Sequence, residues 1–106
     1  MKKVKEKSVS YNEGLERRLK NPAYASEYLM TCLEDREGDS EELFLMALRD
    51  IAKAHGFQWI AKRTQLGRES LYKAISEKGN PTLSTLTSIL DAMGLRISIK
   101  PRRKAA

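Results

Sequence analysis

The chain has 106 residues, a formal net charge of +6 and a single cysteine. That length is one domain's worth, enough to bury one core without a disulfide or a metal to hold it. Cys32 alone excludes an intrachain disulfide, no Cys/His cluster has zinc-ligand spacing, and no apolar run approaches a membrane span or a secretory h-region, so a cytoplasmic protein with no metal, cofactor or membrane is expected.

The charge is unevenly placed: residues 1–20, 21–50, 51–80 and 81–106 carry net charges of +4, −6, +4 and +4. This pattern suggests a polar molecule with one face for phosphate and another that shuns it, the alternative being that Lys and Arg merely keep a small domain in solution. Residues 1–10 hold two valines among charged and hydroxyl residues and read as a mobile basic arm. Tyr11 to Lys20 has Leu15 and Leu19 at helical spacing. Asn21-Pro22 reads as an N-cap with proline at the first helical position, opening a helix to about Arg36. Its stripe is Ala25, Tyr28, Leu29, Cys32 and Leu33, which makes Cys32 a small inward residue.

An acidic loop with Gly38 follows, and Asp39 or Ser40 caps the next helix, with Glu42 placed to reach back from Asp39. Leu43, Phe44, Ala47, Leu48, Ile51 and Ala52 form the face of that helix, which ends near His55-Gly56; His55 reads as a capping or solvated residue. Phe57 to Pro81, FQWIAKRTQLGRESLYKAISEKGNP, reads as two short helices and a tight turn, a helix-turn-helix over about 57–77. Ile60, Ala61, Leu71, Ala74 and Ile75 face inward and Leu66 plugs the turn. Arg68, Glu69, Tyr72, Lys73 and Ser76 stay outward, where DNA would meet them.

Glu77 to Pro81 is a polar loop. Thr82 then caps a helix with the stripe Leu83, Leu86, Ile89, Leu90 and Met93, ended by Gly94. Leu95 to Lys100, LRISIK, alternates apolar and polar residues and reads as a half-buried strand closed by Pro101; it needs a partner in the N-terminal arm, a second copy of the chain or another protein. Residues 102–106 form a basic tail expected to be disordered. No glycine-rich phosphate loop, nucleophile elbow or paired-carboxylate motif is present, so no enzyme is expected.

The stretch IAKRTQLGRESLYKAISEKGNPTLSTLTSILDAMGLRISIKP resembles the helix-turn-helix core of the Xre/Cro-like repressors. The fuller pattern, from Tyr11 through LKNPAYASEYLMTCLED to LRISIKP, resembles the addiction-module antidote proteins, antitoxins of HigA type encoded beside a RelE-like toxin. The run LYKAISEKGNP and the upstream NPxYxxxYL pattern are its most specific parts. The fold expected is therefore mainly α: a five-helix-type helix-turn-helix domain over 11–101 with an N-terminal helical extension and a short C-terminal strand.

The resemblance implies a repressor that dimerises on its own operator and, with its toxin, silences the operon. It places the recognition helix on Arg68 to Ser76 and a phosphate-contacting loop on Glu77 to Pro81, which includes Lys78 and Asn80. Lys62, Arg63, Lys73 and Lys78 would meet phosphates, and Arg68, Glu69 and Tyr72 base edges. A two-fold dimer on double-stranded operator DNA would span half-sites about 34 Å apart. The acidic Glu34 to Glu42 region and the N-terminal arm are candidate toxin contacts, the region's alternative role being a solvated loop held away from DNA.

This chain departs from the family pattern at three positions. Gln65 stands where the turn usually carries a left-handed glycine, at a cost of about 1 kcal/mol if the geometry is kept. Gly67 replaces a serine N-cap, a weaker but tolerated cap, and Trp59 replaces a polar residue that meets phosphate; it is expected to pack against a neighbouring element, the alternative being an indole N–H donated to a phosphate. A free-standing phage-type repressor and an interaction module that has lost DNA binding are the rival readings.

Overall fold

In a computed structural model the described residues are 13–34 and 38–101, and they form six helices and no strand. The basic arm over 1–10 and the tail over 102–106 lie outside the described residues. Helix α1 covers residues 13–19 and delivers Leu19 to the core, 2% exposed, with Leu15 packed beside it. Asn21 then caps α2 (Pro22–Leu33): its side-chain oxygen accepts the Ala23 N–H at 2.9 Å, and Pro22 occupies the first turn, where its missing N–H removes no helix bond. The helix stops three residues short of Arg36, with the Glu34 N–H bonded to the carbonyls of Met30 and Thr31 at 3.0 and 3.3 Å.

Helix α3 (Ser40–His55) is the long central element. It packs against α2 on one side and meets α4 (Phe57–Thr64) across Gly56, which ends the one helix and starts the other. Helix α4 in turn touches both α5 (Arg68–Ala74) and α6 (Leu83–Ala92). A local signal opens α6 as expected, since the Thr82 hydroxyl accepts the Thr85 N–H at 3.2 Å. Leu19, Leu48, Ile51, Ile60, Leu71, Ile75 and Ile89 are the largest fully buried side chains, so α1, α3, α4, α6 and the α5 end share one core. Truncating any of them to alanine should cost roughly 2–5 kcal/mol.

Four expectations need correction. Leu33 and Leu83 were expected in core stripes but are 49% and 71% exposed; both stand at helix ends, where an apolar stripe runs past the overlap with its neighbour. Asp39 occupies the N-cap of α3 without a side-chain cap bond, so the expected reach-back pair with Glu42 does not form. The strand over Leu95 to Lys100 is absent. A strand exists by pairing, and among the described residues no second strand is there to pair with. The Leu95 N–H bonds the Leu90 carbonyl at 2.8 Å to close α6, and residues 96–100 run on as exposed irregular chain.

Candidate nucleic-acid interface

The α4–α5 turn is built from three residues, each with its own physical reason. Thr64, buried at the end of α4, donates its hydroxyl to the Ala61 carbonyl at 3.0 Å and accepts the Leu66 N–H at 3.2 Å, so one side chain ties both sides of the turn. Gln65 takes the left-handed conformation, φ 63° and ψ 15°, with its N–H on the Ala61 carbonyl at 2.9 Å. The turn geometry is thus kept without glycine, at a cost of about 1 kcal/mol. Gly67 lies at φ 86° and ψ 156°, a region open in practice to glycine alone. Its role is therefore backbone conformation rather than weak capping, and a serine cap could not be restored there without moving the turn.

Helix α5 buries Leu71 and, at its C-cap, Ile75, and exposes Arg68, Glu69, Tyr72 and Lys73. The Tyr72 ring stacks on Phe57 of α4 with centroids 4.4 Å apart, and the Arg68 guanidinium lies 5.7 Å from the Tyr72 centroid. Phe57, Tyr72 and Arg68 form one column that restricts two of the outward side chains before any ligand arrives. Ser76 is half-buried and donates to the Lys73 carbonyl at 3.0 Å, which turns it toward the end of its own helix. Lys73, Ser76, Lys78 and Asn80 line one open groove between α5 and the start of α6. Lys62 is exposed on α4.

Arg63 belongs to a second column. Its guanidinium lies 4.4 Å over the Trp59 ring, and Trp59 stacks on His55 at 4.8 Å with planes 8° apart. Trp59 and Arg63 share a face of α4 through their spacing of four residues, and the bend at Gly56 brings His55, the last residue of α3, against the same ring. Trp59 packs as expected, and His55 serves as its platform rather than as a helix cap. Burial lowers the His55 pKa below its ordinary value, with the positive charges of Lys20 and Arg63 acting in the same direction.

The far end of α5 is fixed by a residue that sequence reading missed. Arg49 of α3 donates Nη1 to the Ile75 carbonyl at 2.8 Å, a charge-assisted bond to the C-terminal end of the helix. Gly79 brings the following loop back against this end, its N–H on the Ser76 carbonyl at 2.8 Å. Any Cβ at Gly79 would collide with the Ala74 carbonyl, so close approach here requires glycine. That approach sets the positions of Lys78 and Asn80.

Among the described residues there is no group of three or more His, Cys, Asp or Glu that could hold a metal ion, and no helix is long and apolar enough to cross a membrane. No solved structure gives a significant match to the chain. A Haemophilus influenzae protein of uncharacterised function is 40% identical over 78 residues, which are 74% of this chain and 77% of the relative. The model of the family described as "probable addiction module antidote protein" matches residues 12–101. The chain belongs to the addiction-module antidote family.

An antidote has a toxin as its partner, so this antidote must present a surface to a second protein. Its most acidic described stretch is at the α2–α3 junction, where Glu34, Asp39, Glu41 and Glu42 are exposed. The junction lies at the start of α3, and a helix of 16 residues is about 24 Å long. The antidote's acidic end and its α3–α4 junction are separated by that length. A hydrogen bond ties α2 to the later half of α3, away from the acidic end: Tyr28 of α2 donates its hydroxyl to the Asp50 carboxylate at 2.9 Å. Burial, and then the bond and charge of Asp50, push the Tyr28 hydroxyl well above the usual phenol range.

Proposed function

We propose that this antidote is a DNA-binding antitoxin of a type II toxin-antitoxin module, which represses its own operon through α5 and neutralises a RelE-like toxin by direct binding. The observation that carries the DNA reading is the state of α5. It is held by the Thr64–Gln65–Gly67 turn at one end, by Arg49 at the other and by Leu71 beneath, and it leaves Arg68, Glu69, Tyr72 and Lys73 outward. A short helix fixed at both ends with its polar face free suits insertion in a major groove, in the manner of an Xre/Cro-like helix-turn-helix. Arg68 offers a fork for guanine, Glu69 an acceptor for cytosine and Tyr72 a restrained ring, while Lys62, Arg63, Lys73, Lys78 and Asn80 flank them for phosphate. Ser76, bonded to its own helix end, serves the phosphate side rather than base reading.

One such helix covers too little DNA for tight specific binding, so the antidote acts as a two-fold dimer. The rival reading as an interaction module without DNA binding relied on Gln65 and Trp59 as marks of decay. The left-handed backbone kept at Gln65 and the ordered His55–Trp59–Arg63 column favour an intact reader instead. Toxin binding is assigned to the acidic α2–α3 junction: the resemblance implies a RelE-like toxin, a generally basic protein, which would find complementary charge there and repulsion at α5. Reversing Glu41 and Glu42 to lysine should abolish co-purification with the product of the neighbouring toxin gene while leaving promoter binding in place. Undiminished co-purification would remove this junction from the toxin interface.

A further inference from the structure

The C-terminal segment after α6 presents an unsolved problem of burial. Ile99 is 90% exposed, Ile97 41%, and no backbone hydrogen bond within the described residues engages residues 96–100. The segment leaves the core beside an apolar cleft of about 140 Å³, whose lining includes Leu29, Met30, Leu33, Phe44 and Leu90. Residues 95–98 all border this cleft, Leu95 and Ile97 being their apolar part, whereas Met30 and Leu33 keep about half their surface in solvent. Strand chemistry, an open backbone edge and a half-filled apolar floor coincide at one place.

We infer that this segment pairs antiparallel with the same segment of a second copy of the chain, with Ile97 on the two-fold axis. The inference rests on the dimeric reading of the function and gives it an interface. Side-chain alternation and charge select the register. Antiparallel pairing sets directly opposed residues on the same face, so apolar residues oppose one another only if the axis passes through a residue. An axis through Ser98 would oppose Arg96 to Lys100 of the second copy and bring Pro101, which has no N–H to give, into the ladder. An axis through Ile97 instead opposes Ile97 to itself, Leu95 to Ile99 and Arg96 to Ser98, with no like charges facing and Pro101 beyond the last pair.

This register also accounts for Ile99. In the single chain it has left its own cleft behind, but opposite the second copy's Leu95 it reaches the edge of that copy's cleft. Each protomer thereby covers apolar surface that the other cannot cover itself. A two-stranded ribbon alone is marginal in water, and here the two clefts supply the layer beneath it. The interface is small, of the class below about 1,200 Å² in total, so the free protein should dimerise reversibly and with a dependence on concentration.

The test uses the full chain without DNA. Sedimentation equilibrium should show a concentration-dependent dimer. Ile99→Lys, at a position too exposed to disturb the protomer, should weaken it at least tenfold without changing the far-UV spectrum or the urea midpoint of the monomer. In a Cys32→Ala background, Ile97→Cys should oxidise readily to a crosslinked dimer, its Cα atoms about 5 Å apart. Ile99→Cys should not, because two such residues would be offset by roughly 13 Å along the strands, beyond disulfide reach. A chain that stays monomeric, a dimer indifferent to Ile99→Lys, or faster crosslinking through Ser98→Cys than through Ile97→Cys would overturn the pairing. A crosslinked Ile97→Cys dimer that gives no shift with its own promoter would support the pairing and count against the DNA reading alone.

Discussion

Gln65 holds a left-handed backbone that glycine would hold without strain, and its neighbour Gly67 holds one that only glycine can. The two positions make opposite predictions from the same physics. Gln65→Gly should raise the unfolding free energy by up to about 1 kcal/mol, the relieved strain being partly offset by the greater freedom of glycine in the unfolded chain. Gly67→Ala should lower it by at least about 1 kcal/mol although a Cβ there meets open space, because the penalty is in φ and not in packing. Urea melts of the two variants check both signs. His55 adds a pH dependence. Its folded pKa is lowered, so its contribution to stability is fully present above the ordinary histidine value of about 6.5 and is lost as pH falls through the lowered folded value. The urea midpoint should therefore fall on acidification from pH 7.5, and His55→Gln should flatten that part of the profile. An identical slope in the variant would show that other groups carry it.

Among the elements, α5 has only seven residues and is too short to persist on its own. It depends on its ends. Replacing Arg49 by methionine removes the donor from the Ile75 carbonyl while keeping an unbranched apolar stem, and should cost about 2 kcal/mol in stability. It should also weaken DNA binding more than this loss of folded protein explains. Arg49→Lys should restore part of both, and a methionine variant with unchanged binding would limit Arg49 to the core. What was legible in the sequence follows from how local each signal is. The caps Asn21 and Thr82 act on N–H groups two and three residues away, and the stripes of α2, α3 and α6 repeat at helical spacing, so all could be read along the chain. Arg49 and Ile75 are 26 residues apart, and Phe57 and Tyr72 meet only after the turn has folded. No periodicity encodes such pairs. The LRISIK alternation was real as a pattern, but a strand is made by a partner, and among the described residues there is none.

For the whole molecule, charge organises the account: the acidic α2–α3 junction lies at the start of α3, and α4 and α5, with their loops, carry the basic groups beyond its end. Membership of the antidote family gives this division a purpose, since one chain has to meet a toxin and, as proposed, an operator. The central claim is that α5 and its flanking loop bind DNA through phosphate neutralisation, with base reading added by Arg68, Glu69 and Tyr72. Its most direct test is a salt titration of binding to the chain's own promoter, comparing the unaltered protein with Lys73→Ala. The account predicts binding whose affinity falls steeply with salt, and for Lys73→Ala a weaker affinity on every sequence with the slope of log K against log salt reduced by about 1 per chain that contacts the DNA. No binding to the promoter, or an unchanged affinity and slope in the variant, would contradict it.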